Sequence, residues 1–186
     1  MKLVGKTPAL LGILIALTAH GGLADPLHKF GNEGAWVHVD SGWRFPKEVG
    51  DFGRVTQPYN IDGNNDAGAE YRQAQVSAEV DVYAADSAAV DATIEGAKDT
   101  AARKAGEGAQ VRSEKPFQVA GLKGGVKITY APKSDAAGVQ TNLYYFTTDR
   151  WRVKVLATTE AGGELALDEF VRALPWNTLG TDSGIH

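Results

Sequence analysis

QTNLYYFTTDRWRVKVLAT, residues Gln140–Thr158, carries the strongest fold signal in the chain. Two β-rich runs, Thr141–Phe146 and Trp151–Thr158, flank the short polar connection Thr147–Arg150. β-Branched and aromatic residues on either side of so short a link predict a hairpin. The second run alternates Trp151, Val153 and Val155 with Arg152 and Lys154, the pattern of a strand with one wet face. The first run carries bulk on both faces, Leu143 and Tyr145 opposed to Tyr144 and Phe146, and reads as an interior strand.

Upstream, Ala35–Val39 is the first plausible strand, and Trp43, Phe45 and Phe52 form an irregular aromatic plug leading into a strand near Gly53–Tyr59. Asn60–Gly68 is dense in turn formers, so Ala69–Arg72 should pair back across it. Val76–Tyr83 alternates cleanly, with Glu79 and Asp81 on its polar side. A helix capped by Asp86 or Ser87 should then run to about Ala105, with the stripe Val90, Ile94, Ala97, Ala101, Ala105. Gly96 falls inside that helix and costs about 1 kcal/mol against alanine. Val111–Val119 is a weak strand interrupted by Pro116, and Val126, Ile128 and Tyr130 alternate with Lys127 and Thr129 in another. Glu164–Leu174 is the second helix, with Leu167, Phe170, Val171 and Leu174 on one side, Asp168 and Arg172 four apart, and Pro175 ending it.

Short connections between strands and only two helices predict an α+β domain. The expected architecture is a single antiparallel sheet of about six to seven strands over residues 35–176, with two helices packed on one face. The other face should be wet, bearing Glu79, Asp81, Lys127, Thr129, Arg152 and Lys154. Residues 25–34 read as a flexible lead and 177–186 as a flexible tail.

Lys2 and Lys6 precede the apolar run Ala9–Ala19, and Gly22 and Ala24 supply the small residues of a cleavage site. Residues 1–24 therefore read as a signal peptide cleaved after Ala24, too short for an ordinary membrane span. With no cysteine, the chain can form neither disulfides nor thiolate sites, and no acylated cysteine can anchor it. A cysteine-free exported domain points to the bacterial periplasm. The net charge of −4 argues against nucleic acid as a partner, and nothing after the signal is apolar enough to span a membrane.

No residue earns a catalytic, cofactor-binding or metal-binding assignment. Asp62, Asn64 and Asp66 have the spacing of a calcium loop, yet Ala67 and Gln73 stand where that loop needs glycine and glutamate. His38 and Asp40 share a strand face but lack the third ligand a transition metal needs, so His38 reads as a partly exposed strand histidine. No Gly-x-Ser-x-Gly elbow is present, and Gly121, Gly124 and Gly125 match neither nucleotide-binding pattern. Tyr144, Tyr145, Phe146 and Trp151 read first as core, with part of the set available to line a groove.

GWRFPKEVGDFGRV (Gly42–Val55), AGAEYR (Ala67–Arg72), VSAEVDVYAAD (Val76–Asp86), VAGLKGGVKITY (Val119–Tyr130), LYYFTTDRWRVKVLAT (Leu143–Thr158) and LDEFVRALPW (Leu167–Trp176) follow one another in an order that resembles a set of exported bacterial proteins of unassigned function. The order of elements is also similar to the PsbP-like fold. That resemblance implies an antiparallel sheet with helices on both faces, where the residue pattern places two helices on one. It brings no functional residues with it. The function expected is a non-catalytic binding or accessory module of the envelope, its partner an envelope protein or small ligand held by the wet face, with Arg152 and Lys154, or by loop aromatics. The alternative is an envelope hydrolase with a dispersed site built on His38 and a carboxylate.

Overall fold

Register decides which side chains share a face, and it divides the polar alternates between two faces. The computed structural model describes residues 27–30, 34–61, 65–133, 138–160 and 162–180. The expected signal peptide, the last six residues, Asp62 and Asn64 lie outside them. Twelve strands occur among the described residues: β1 (Leu27–Phe30), β2 (Ala35–His38), β3 (Arg44–Phe45), β4 (Glu48–Val49), β5 (Phe52–Arg54), β6 (Tyr59–Asn60), β7 (Ala67–Gln73), β8 (Val76–Ala84), β9 (Gln110–Phe117), β10 (Gly125–Ala131), β11 (Val139–Thr147) and β12 (Trp151–Glu160). Two helices, α1 (Ile94–Ala105) and α2 (Glu164–Ala173), complete an α+β fold.

The expected single sheet of six to seven strands is two sheets. A small one has the order β1-β2-β3; the main one has nine strands, β4-β5-β7-β8-β12-β11-β10-β9 with β6 also on β7, and every pairing is antiparallel. The extra strands have two to four residues each, too short to show a period of two in sequence. One of them, β1, falls inside the expected flexible lead. The hairpin of β11 and β12 stands as read, at the centre of the main sheet.

The helices do not share a face. Across the middle strands, Lys127 stands opposite Tyr144, Tyr144 opposite Val155, and Val155 opposite Val80. The next row runs Val126, Tyr145, Lys154, Asp81, Gly68. Adjacent rows point to opposite sides. On the first side, Tyr144, Phe146, Val153 and Val155 pack with Leu167, Phe170 and Val171 of α2, and the small sheet adds Leu27, Trp43 and Phe45 to the same cluster. On the second side, Ile128, Leu143, Tyr145 and Leu156 pack with Ala97 and Ala101 of α1. The wet face of the sequence reading is therefore covered. Lys127 and Thr129 lie under the α2 side, Asp81 and Lys154 under the α1 side, and all four are buried.

Each helix is tied down by a lysine. Lys127 Nζ lies 2.5 Å from Asp168 on α2, which also accepts from the Tyr144 hydroxyl. Arg172 lies over the Phe117 ring rather than completing the four-apart pair with Asp168 read from the sequence. On the α1 side Lys154 reaches Asp91, in a short 3-10 turn, Val90–Ala92, that the sequence reading had merged into the helix. Thr93 caps α1, accepting from the Gly96 amide at 3.1 Å, so the helix starts at Ile94 rather than near Ser87. Gly96 thus sits in the first turn. A Cβ there would collide with the Val90 carbonyl, which packs directly on it.

Strand β9 forms one edge of the main sheet, its outer positions carrying Arg112, Glu114 and Lys115 beside Pro116; β4, only two residues long, forms the other.

Helix propensity alone would have Gly96→Ala gain about 1 kcal/mol. The contact with Val90 reverses the sign, and Gly96→Ala is expected to lose about 1–3 kcal/mol of stability, as overpacking does. Urea unfolding of the two proteins checks it; a gain would show that the turn and helix do not meet this closely.

Candidate binding groove

Beside the Lys127–Asp168–Tyr144 tie, four places among the described residues bring chemically capable side chains together, and three of them are closed. The first surrounds Lys154, whose side chain is 3% exposed and whose Nζ lies 2.8 Å from Asp81 and 2.6 Å from Asp91. Asp81 is 1% exposed and accepts from the Tyr83 hydroxyl at 3.2 Å. Its other oxygen, Oδ1, has no hydrogen-bond partner and rests against Gly68, where a Cβ would collide with it. The Tyr59 ring lies over the same glycine, and its hydroxyl donates to Glu79. Burial pushes the Asp81 carboxyl up to about 6, against the pull of Lys154. Burial also opposes the Lys154 charge, but the two carboxylates outweigh it and hold the amine above the ordinary lysine value. The cluster is structural: Lys154 is engaged by both carboxylates, and it is no surface cation.

The second is His38, which is fully buried rather than partly exposed. Asn65 Oδ1 can only accept, so the neutral His38 ring carries its proton on Nε2, and its Nδ1 accepts from the Ser41 hydroxyl at 2.7 Å; Ser41 Oγ in turn accepts from the Trp43 amide at 3.1 Å. Nε2–H donates to Asn65 Oδ1 at 3.2 Å, while the Asn65 amide donates to Asp40. The ring stands edge-on to Trp151 at 5.5 Å. This is a serine and a histidine in hydrogen-bond contact, yet Ser41 is as deeply buried as His38, and its hydroxyl is held between the ring and the Trp43 amide. The arrangement pins β2 to the approach of β7 and to β12. Burial, the largest influence, lowers the histidine pKa despite Asn65 and Asp40.

The third is Asp66, the described end of the calcium-like spacing. It is buried, accepts from the Ala84 amide at 2.9 Å and from the Ser87 hydroxyl, and so terminates β8. No cluster of three metal-ligating side chains occurs among the described residues.

The fourth is open. Where β10 begins and β11 ends, the start of α1 stands off the sheet and leaves a groove of about 460 Å³. Val126 and Tyr145 form its floor; Ala92, Thr93 and Ile94 form one wall; Arg152 closes the end. Tyr145, one of the four aromatics singled out in the sequence, donates its hydroxyl to the Ala92 carbonyl at 2.5 Å and so fixes that wall. Tyr144, Phe146 and Trp151 are core. Gly125 and Thr147 also line a separate cavity of about 640 Å³ against the Gly121–Gly124 turn, where Lys123 and Asp149 stand. A Cβ on Gly125 would run into the Phe146 ring and the Tyr145 carbonyl, so glycine is what lets the strands close at the floor.

Arg152 is half-buried. Its Nη1 donates to the Thr148 carbonyl and to the Trp151 carbonyl at 3.0 Å, and it makes no ion pair among the described residues. The groove was not legible in sequence, because its wall depends on where α1 starts. The sequence marks Arg152 as part of a wet face, but α1 and the turn before it cover that face around it.

No protein-family model matches the sequence, and no curated protein matches it. The geometry alone therefore carries the functional reading.

Two outcomes follow for the closed clusters. Lys154→Met leaves Asp81 and Asp91 buried without a cation and is expected to cost about 3–5 kcal/mol in urea unfolding; a loss below 1 kcal/mol would show the pair to be solvated. For His38, the folded pKa lies below the unfolded 6.5, so the unfolded chain takes up the proton first. Stability supplied by the neutral ring is lost as pH falls through 6.5. Between pH 7.5 and 5.5 the Tm of the wild type is expected to fall more than that of His38→Gln, and equal slopes would disprove it.

Proposed function

We propose that the chain is an exported, periplasmic module of the bacterial envelope, PsbP-like in architecture, that works by binding a small ligand or an envelope protein rather than by chemistry. The observation that carries the reading is the groove between α1 and the central hairpin, with an arginine at its end that has no counter-ion among the described residues. Its lining contains neither histidine nor carboxylate, so it offers hydrogen bonds, apolar surface and one positive charge. Elsewhere Lys154, Asp81, Asp168, Lys127 and His38 are engaged internally. Concave, mostly apolar sites with few polar groups are the usual form of a ligand site.

Export rests on Lys2, Lys6, the Ala9–Ala19 run and the small residues Gly22 and Ala24. No described helix is long and apolar enough to cross a membrane. The PsbP-like reading gains support from helices lying on both faces of an antiparallel sheet, the layering that the resemblance implies.

Osmotic shock of the native cells should release a polypeptide whose intact mass corresponds to a start at Asp25. A precursor retained in the pellet with its full N-terminus would remove the export half of the proposal. For binding, the released protein is screened by thermal shift against envelope metabolites and, immobilised, against an envelope extract. At least one ligand or protein should be held by the wild type and lost by Arg152→Gln; silence in both arms would overturn the binding half.

A further inference from the structure

From the groove's one unmatched charge and its apolar floor we infer the ligand class: a small amphipathic monocarboxylate, its carboxylate on Arg152 and its apolar body along Val126, Tyr145 and Ile94. This rests on the binding reading above and narrows it. A guanidinium has five N–H donors in a planar fork. In Arg152 one nitrogen, Nη1, is turned back to the hairpin, onto the carbonyls of Thr148 and Trp151. Those bonds fix the plane of the group without neutralising it, and no acceptor among the described residues engages Nη2 or Nε, which are left for an outside one. Two parallel N–H donors on a fixed plane match the two oxygens of a carboxylate better than any other common anion.

The contrast within the molecule sharpens the point. The buried lysines, Lys127 and Lys154, and the partly covered Lys98 all have a carboxylate within 4 Å, while the half-buried Arg54 spends both terminal nitrogens on carbonyls, Nη1 on Phe45 and Nη2 on Gly34. None of the acidic residues among the described residues forms an ion pair with Arg152. A half-buried cation without a counter-ion is unfavourable in the empty state and becomes favourable when an anion arrives.

The rest of the lining decides the other end of the ligand. Val126, Ile94 and Ala92 are apolar, and Tyr145 has already spent its hydroxyl on Ala92, so what faces the groove there is its ring. The lining holds a single cation, which favours one negative charge over two. A volume of about 460 Å³ falls within the span of small-molecule sites, roughly 300–1,000 Å³. A ligand cation would meet Arg152 head-on.

The test is calorimetric titration of the processed full chain with decanoate, with decanol and decylamine as controls for charge. A peptide ending in leucine, with free and with amidated terminus, forms the arm that separates a free carboxylate from a protein C-terminus. Decanoate should bind at least tenfold more tightly than either control. Arg152→Gln should lose at least tenfold, and Arg152→Lys should recover only part, because an ammonium does not offer the fork. Because Arg152 also braces the hairpin turn, Ile94→Glu serves as an independent variant. It leaves those contacts alone, sets a carboxylate in the groove wall, and should weaken decanoate by a similar factor. Equal affinity for decanoate and decanol, or binding indifferent to both variants, overturns the inference. So does binding of the free-terminus peptide alone. If decanoate fails while another ligand is lost with Arg152→Gln, the ligand class is wrong and the binding module stands. If nothing binds at all, both fall.

Discussion

Lys154 holds the second layer of the molecule in place. Its ammonium joins β12 to β8 through Asp81 and to the turn before α1 through Asp91. The helix it secures has little else to hold it. Ala97 and Ala101 are its fully buried side chains, and alanine removes little apolar area from water at roughly 25 cal/mol per Å². On the opposite side α2 buries Leu167, Phe170 and Val171 against aromatic neighbours and carries its own lysine tie besides. The two helices thus cover equivalent faces by different means, one chiefly by apolar contact and the other by charge and close approach. Gly96 belongs to the second strategy, because it lets the Val90 carbonyl lie against the first turn of α1.

The groove is a product of that strategy. Its wall is the residues that Lys154 and Tyr145 position, Ala92 to Ile94, and its end is set by the hairpin turn that Arg152 braces. A bulkier stripe on α1 would have fixed the helix along its whole length through its own packing. The alanines leave the placement to a few polar contacts at one end, and the gap between helix start and strand ends is what remains.

Much of this was readable from residues. The β8 alternation, the β11–β12 hairpin, β10 and α2 stand within a residue or two of where periodicity put them. Bulk on both sides of Tyr144 and Tyr145 already required cover from both sides, and that requirement conflicted with a wet face. What misled was the assumption that Lys127 and Lys154, each alternating with valines, share a side. Pairing register decides that, and the register joins Lys127 to Tyr144 but Lys154 to Tyr145. A shift of one residue exchanges faces, and nothing local to either strand records which register is used. The strands of two to four residues, the burial of His38 and the groove itself all depend on contacts distant in sequence, such as His38 with Asn65. Arg152 was visible as a residue, but its role comes from surroundings that only the assembled sheet supplies.

The two rims of the main sheet have a consequence for life at high concentration. A row of nine strands ends somewhere, and a bare rim of amides and carbonyls invites another copy to stack on and continue the hydrogen bonding. At one rim β4 offers only two residues, too few to template anything. At the other, β9 has the length to do so, but Arg112, Glu114 and Lys115 would have to be brought alongside another strand, and Pro116 has no amide to give. Growth of the sheet from molecule to molecule is blocked at both ends. A chain without disulfides gains from that a means of remaining dispersed while it folds.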